Sequence, residues 1–212
     1  MRHFFSALAA VEPLAPGAAL LHGFAAPLDT ALADVVRNVA AAAPFRQMIT
    51  PGGFKMSVAM TNCGAFGWVS DEGGYRYSPT DSDTARAWPE LPPVLADLAC
   101  RAAAAAGFDG FTPDACLVNR YAPGARLTLH QDRDERDMSH PIVSVSLGVP
   151  AVFLFGGVKR NERALRVNLT HGDVVVWGGP ARLRYHGVAT LKLAEHPFAG
   201  AERINLTLRR AR

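Results

Sequence analysis

The chain has 212 residues, is 49% hydrophobic and carries a formal net charge of +3. That length fills one core and is short for two ordinary domains, so a single domain over 1–212 is expected. No apolar run approaches the roughly 20 residues of a membrane span, the weak positive charge permits a polyanionic partner without demanding one, and Cys63, Cys100 and Cys116, with no Cys-x-x-Cys pair, indicate neither a disulfide framework nor a zinc site.

In chain order, the opening MRHFFSALAAVEP imitates a secretory leader, but its apolar stretch is at the short end for one, and a cytoplasmic location is expected. Leu28 to Ala43 has apolar residues at helical spacing, Asp29 or Thr30 as its candidate cap and Pro44 as its stop. Arg46 to Pro79 holds alternating segments, FKMSVAMTN and GWVSDEGGYRYSP, separated by Gly-rich turns, which predicts hairpins projecting from the main body. Glu90 to Ala106 reads as a second Ala-rich helix ending at Gly107, and both helices are expected to pack outside a sheet.

Beyond Phe111 the pattern becomes strand, turn, strand: ACLVNRY, ARLTLH, IVSVSLG, AVFLFG, ALRVNLT, DVVVWG, RLRYHG and RINLTLR. These eight runs predict a double-sheet jelly roll of the cupin kind, and hence an α+β, mainly β fold, a double-stranded β-helix with flanking N-terminal helices. Period two places Leu117, Asn119 and Tyr121 on one face of their strand and Cys116, Val118 and Arg120 on the other. In RINLTLR, Arg203, Asn205, Thr207 and Arg209 share a face opposite Ile204, Leu206 and Leu208. Taken alone, that polar face reads as solvated.

The chemistry-bearing pattern is His130-Gln131-Asp132 at the end of a strand, with Arg-Tyr-His186 far downstream. A histidine and a carboxylate two residues apart can turn toward one point, and a second histidine from a distant strand would complete a two-His-one-carboxylate set suited to non-haem Fe(II). The tripeptide alone is a weak signal in a chain with seven histidines. His171 reads as fixing a turn, and His3, His22, His140 and His196 sit beside loop signals and read as structural or solvated.

With its flanks the pattern is stronger. DACLVNRYAPGARLTLHQD, PIVSVSLGVPAVFLFGG, HGDVVVWGG, RYHG and RINLTLR together resemble the AlkB family of Fe(II)/2-oxoglutarate-dependent nucleic-acid dealkylases, from Pro44 to Arg209 and only loosely before that. The resemblance implies that His130, Asp132 and His186 ligate Fe(II), with 2-oxoglutarate and O2 as co-substrates. It implies that Arg203 holds the far carboxylate of the co-substrate, that Asn119, Tyr121 and Asn205 add contacts, and that Arg209 lies near its iron-side carboxylate. The polar face of RINLTLR then lines the barrel, with a bound dicarboxylate as the anion for its two arginines.

The resemblance further implies a lid over 44–88, a catalytic core over 111–212 and an N-terminal extension and helix over 1–43. Trp68 would stack on a flipped base with His130 on the other side, although a core tryptophan in a hairpin is an equal reading of the residue alone. Tyr75 would touch the nucleic-acid backbone and Asp134 would face a cationic alkylated base; Thr50, Met60 and Arg160 join the substrate set, with Arg126 and Arg133 as basic accessories. Phe54 stands where the family pattern has a tyrosine, and Asp71 and Glu72 add negative charge beside the lid. The implied activity is oxidative dealkylation of N-alkylated bases, of the 1-methyladenine and 3-methylcytosine type, in single- or double-stranded DNA, with RNA as a further substrate, by a monomer with no membrane partner. Two other readings stand beside it: a hydroxylase of a protein or small molecule, and a cupin-like binding module without turnover.

Overall fold

Side chains alternate across each strand of the C-terminal half, so that one face turns to the barrel interior, and the computed structural model, which describes residues 10–212, shows the two sheets that result. The N-terminal part supplies β1 (Val11–Ala15), β2 (Ala18–Leu21), α1 (Asp29–Ala42), β3 (Ala59–Gly64), β4 (Gly67–Asp71), β5 (Gly74–Ser78) and α2 (Pro93–Ala105). The roll itself is β6 (Ala115–Tyr121), β7 (Leu127–His130), β8 (Ile142–Gly148), β9 (Ala151–Phe155), β10 (Leu165–Leu169), β11 (Val174–Trp177), β12 (His186–Val188) and β13 (Arg203–Arg209). One sheet runs β1-β2-β11-β8-β13-β6-β3, the facing sheet runs β10-β9-β12-β7, and β4-β5 forms a separate hairpin. The expected jelly roll is therefore present with all eight strands.

The two faces of β6 and β13 divide as period two requires. Cys116, Val118, Ile204, Leu206 and Leu208 pack with Leu32, Val35 and Val39 of α1 and Leu95, Leu98 and Ala102 of α2. Leu117 and Tyr121 turn the other way, into an interior cluster with Met48, Met60, Val149 and Val188. Arg203, Asn205, Thr207 and Arg209 are buried inside the barrel, so the solvated reading of that face is replaced.

The structure corrects several local expectations. Neither Asp29 nor Thr30 caps α1: Leu28 holds the cap position without a side-chain bond, while Asp29 Oδ1 lies 2.8 Å from His171 Nε2. The segment expected to form projecting hairpins does so only in β4-β5; β3 pairs with β6 as the edge of the large sheet. The RLRYHG strand begins only at His186, after a short 3-10 turn at Gly179–Ala181. The N-terminal extension contains a hairpin, β1-β2, that extends the sheet through β2 and β11. The first nine residues of the leader-like start, His3 among them, lie outside the described residues.

Other expectations hold. α2, which starts at Pro93 rather than Glu90, stops short of Gly107, whose φ of 86° is left-handed, with Gly107 N–H donating to Ala104 C=O and Phe108 N–H to Ala103 C=O. Those two bonds close the helix end. His171 accepts the Gly148 N–H at 2.9 Å and so ties a turn to the end of β8. Cys63 and Cys116 are buried, unoxidised register partners. Among the described residues no helix is long and apolar enough to cross a membrane.

Candidate metal and co-substrate site

β7 and β12 are antiparallel neighbours whose register sets His130 opposite His186, with ring centroids 4.4 Å apart. Asp132, just past the end of β7, turns back so that Oδ1 lies 3.5 Å from His130 Nε2 and Oδ2 lies 3.6 Å from His186 Nε2. One ligand atom from each residue falls within 4.8 Å of the others. Nδ1 of His130 donates to Thr128 C=O at 2.9 Å and Nδ1 of His186 to Arg184 C=O at 3.1 Å. With Nδ1 so engaged, each imidazole offers the Nε2 lone pair to the centre. The strands behind this pair are in close contact: a Cβ on Gly187 would lie 2.5 Å from the Leu127 carbonyl oxygen.

Asp132 is gripped twice. Arg209 donates to Oδ2 from Nε at 3.0 Å and Nη2 at 2.6 Å, and Arg182 Nη1 donates to the Asp132 main-chain carbonyl at 2.7 Å. Burial, the largest influence, pushes the Asp132 carboxyl up, but the charges of Arg209 and His186 and the bonds to both histidines hold it well below the usual carboxylate range. Burial also presses on both histidines: beside Asp132, His130 ends above its ordinary value, whereas the neighbouring His130 helps depress His186. Two imidazoles and an obligate carboxylate anion suit Fe(II) and leave coordination positions open.

At the other end of β13, Arg203 is 2% exposed. Its Nη2 donates to Ser146 Oγ at 3.0 Å and its guanidinium lies 5.1 Å from the Tyr121 ring centre, while Nε and Nη1 have no partner among the described residues. Burial lowers its pKa, and Tyr121 opposes the shift. A buried guanidinium with two free donors is a costly arrangement that a carboxylate would complete with charge-assisted bonds. Asn119 donates to Asn205 Oδ1 at 3.3 Å and its own Oδ1 has no partner among the described residues, while Asn205 donates to Ser144 Oγ at 2.8 Å. The donor set therefore fits both Fe(II) and the dicarboxylate.

The structure places Asn119, Tyr121, Arg203 and Asn205 on the same interior face of β6 and β13, and sets Arg209 at the ligand end of that face, against Asp132 and, at 3.4 Å, Glu135. Sequence reasoning missed Ser144 and Ser146. Their signal was available, since both alternate with Val143, Val145 and Leu147 on β8.

On the substrate side, Trp68 Nε1 donates to Asp134 Oδ2 at 2.7 Å, and the Trp68 ring stacks on Tyr75 with centroids 5.5 Å apart. Trp68 is thus half-buried in the hairpin and also engaged with the candidate pocket acid. Thr50 accepts the Phe54 N–H at 3.1 Å in a turn that leaves Phe54 76% exposed. Met60 is buried in the interior cluster, and Arg160 lies 5.7 Å from the ring centre of Tyr185, next to the candidate ligand His186. Arg76, beside Tyr75, ion-pairs with Asp71 at 2.7 Å, so part of the acidic charge near the hairpin is neutralised locally; Arg133 bonds Gln131.

A jelly roll that closes on two histidines, an aspartate and a buried unpaired arginine defines an Fe(II)/2-oxoglutarate oxygenase, and residues 17–209 match the family model described as the 2OG-Fe(II) oxygenase superfamily, to which the chain belongs. Within it the chain is of the AlkB type. It is 58% identical over 200 residues to the α-ketoglutarate-dependent dioxygenase AlkB of Salmonella typhimurium and 56% identical to that of Escherichia coli, in each case covering 94% of this chain and 93% of the relative. The solved structure of OsALKBH1 superimposes with a TM-score of 0.83 at 29% identity, over 95% of this chain and 100% of that one. The protein is a dioxygenase that uses Fe(II) and 2-oxoglutarate.

Proposed function

We propose that the enzyme removes alkyl groups from the ring nitrogens of N-alkylated bases in DNA, with RNA as a second substrate, and so repairs alkylation damage by direct reversal. The observation that carries this reading is Trp68, which is joined to Asp134 by its indole N–H beside the candidate ligand set. An aromatic face next to a carboxylate suits a cationic alkylated base, and stacking is worth about 1–3 kcal/mol per base, enough to offset extrusion from the stack.

In this reading His130, Asp132 and His186 hold the iron, while Arg203, Asn119, Tyr121 and Asn205 hold 2-oxoglutarate. Bound there, Fe(II) would supply the oxidising chemistry that couples O2 and 2-oxoglutarate to hydroxylation of the alkyl carbon, with succinate and CO2 as the other products. The hydroxylated carbon, attached to nitrogen, then leaves as an aldehyde and restores the base. The chain's own contribution is orientation: Arg203 sets the co-substrate by its far end, Arg209 and Arg182 fix Asp132, and Trp68 with Asp134 presents the base. Tyr75, Thr50, Met60 and Arg160 complete the substrate side, with the hairpin as part of a lid over 44–88, the core over 111–212 and an extension and helix over 1–43. The enzyme works as a monomer in the cytoplasm, where iron stays ferrous.

Mass spectrometry of a panel of lesion-bearing oligonucleotides, incubated with enzyme, Fe(II), ascorbate and 2-oxoglutarate beside Asp132→Ala, tests the reading. Loss of the alkyl mass with one succinate per lesion is expected from the wild type alone. Succinate formed with every lesion intact would instead favour hydroxylation of a protein or small molecule.

A further inference from the structure

The residues that follow Asp132 carry two carboxylates that the chemistry above does not fully use, and both are bound by one rung of the β4-β5 hairpin. Trp68 and Tyr77 are register partners on that hairpin. Trp68 Nε1 donates to Asp134 at 2.7 Å, and Tyr77 OH donates to Glu135 Oε1 at 2.8 Å. Glu135 is 6% exposed and Tyr77 is 6% exposed, so the second bond is closed to solvent. Oε2 of Glu135 lies 2.9 Å from Arg182 Nη2, and Oε1 lies 3.4 Å from Arg209 Nε. These are the two arginines that hold Asp132, one by its main-chain carbonyl and the other by its carboxylate.

Asp132 and Glu135 offset Arg182 and Arg209, so the four charges can be buried together at no net charge. The set is closed only while Glu135 is present. Without it, two buried guanidinia would compete for Asp132, the one carboxylate that a metal ion also needs. Trp68 joins the hairpin to Asp134 on the same segment, but the buried route from the hairpin to the arginines that hold Asp132 runs through Tyr77 and Glu135.

We infer that Glu135 is a positioning residue of the metal site, and that through Tyr77 and Glu135 the placement of the β4-β5 hairpin and the placement of Asp132 are one coupled variable. The inference rests on the ligand assignment above and adds to it a route by which a nucleic acid seated on the hairpin and an ion seated at Asp132 stabilise each other. Such coupling must be reciprocal.

Mn(II), which is redox-silent here, serves as the probe with the full chain and 2-oxoglutarate under argon. Two quantities are read: Mn(II) affinity, and hydrogen exchange of amides 67–78. In the wild type, Mn(II) should slow exchange in the hairpin. Glu135→Gln should weaken Mn(II) binding about tenfold or more, as loss of a group supporting a metal ligand does. Tyr77→Phe, which removes one hydroxyl and keeps the ring and the Trp68–Asp134 bond, should weaken binding less but cut the slowing at least by half. Unchanged Mn(II) affinity in Glu135→Gln, a hairpin in Tyr77→Phe that responds to Mn(II) as fully as the wild type, or a wild-type hairpin that does not respond would each overturn the coupling. Mn(II) binding that survives Asp132→Ala would overturn the ligand assignment itself, a separate failure that takes the coupling with it.

Discussion

The two ends of β13 carry the same residue on the same buried face, yet Arg209 meets two carboxylates of the chain while Arg203 meets a serine hydroxyl and the face of a tyrosine. Burial presses on both guanidinia; at Arg209 the neighbouring anions more than reverse it, and at Arg203 they are missing. A satisfied buried cation orients a neighbour, whereas an unsatisfied one implies a visitor of opposite charge. One strand thus holds a finished structural joint at one end and an open receptor at the other.

The comparison can be broken most directly at Asp132. Asp132→Ala should abolish Mn(II) binding and succinate formation and, by leaving Arg209 buried opposite a missing partner, should destabilise the fold by about 3–5 kcal/mol in denaturant unfolding. The arginines should next part in sign. Arg209→Met should lower the melting temperature, whereas Arg203→Met should raise that of co-substrate-free protein, since an unsatisfied buried group costs about 1–3 kcal/mol and each kcal/mol moves Tm by roughly 2–4 °C at this size. A fall in both would mean that Arg203 is already satisfied.

A milder change sharpens the receptor end. Arg203→Lys keeps the charge and loses the fork, so 2-oxoglutarate should bind about 10- to 150-fold more weakly, the equivalent of about 1.5–3 kcal/mol, with oligonucleotide affinity unchanged by titration. Equal losses in both would remove Arg203 from the co-substrate.

The smallest effect belongs to a finished pair remote from the strand. Asp81 is buried, ion-paired with Arg46 and accepts the Asp83 N–H at 2.8 Å. Burial alone would raise its pKa, but these partners depress it below 3.8. A depressed carboxyl adds stability that is fully present above its unfolded pKa and is lost as pH falls through the folded one. Wild-type Tm should therefore fall more steeply below about pH 4 than that of Asp81→Asn.

Much of this was legible in the residues. The eight strands of the roll announce themselves because period two alternates with Gly and Pro turns, whereas the ligand trio is a weak signal by spacing alone and is picked out only through the resemblance carried by its flanks. The β1-β2 hairpin does not: Pro13 argues against a strand, and β2 is held by β11, a partner more than a hundred residues away. For the same reason β3 reads as part of a projecting hairpin, although its partner is β6. Glu135 and Arg182 look like ordinary surface charges in a linear reading. Only folding brings Arg182 to the segment that follows Asp132, and only then does a loop glutamate become a partner for two arginines.

The close approach at Gly187 has a bearing on how this scaffold can be remodelled. Any side chain there would collide with the neighbouring strand and drag the adjoining histidine off its partner, so laboratory evolution toward new adducts should find that position immovable. The side chain of Phe54, 76% exposed, is under no such constraint. Selectivity is therefore best redesigned from the rim inward, with the paired histidines left as the fixed anvil against which every new pocket is shaped.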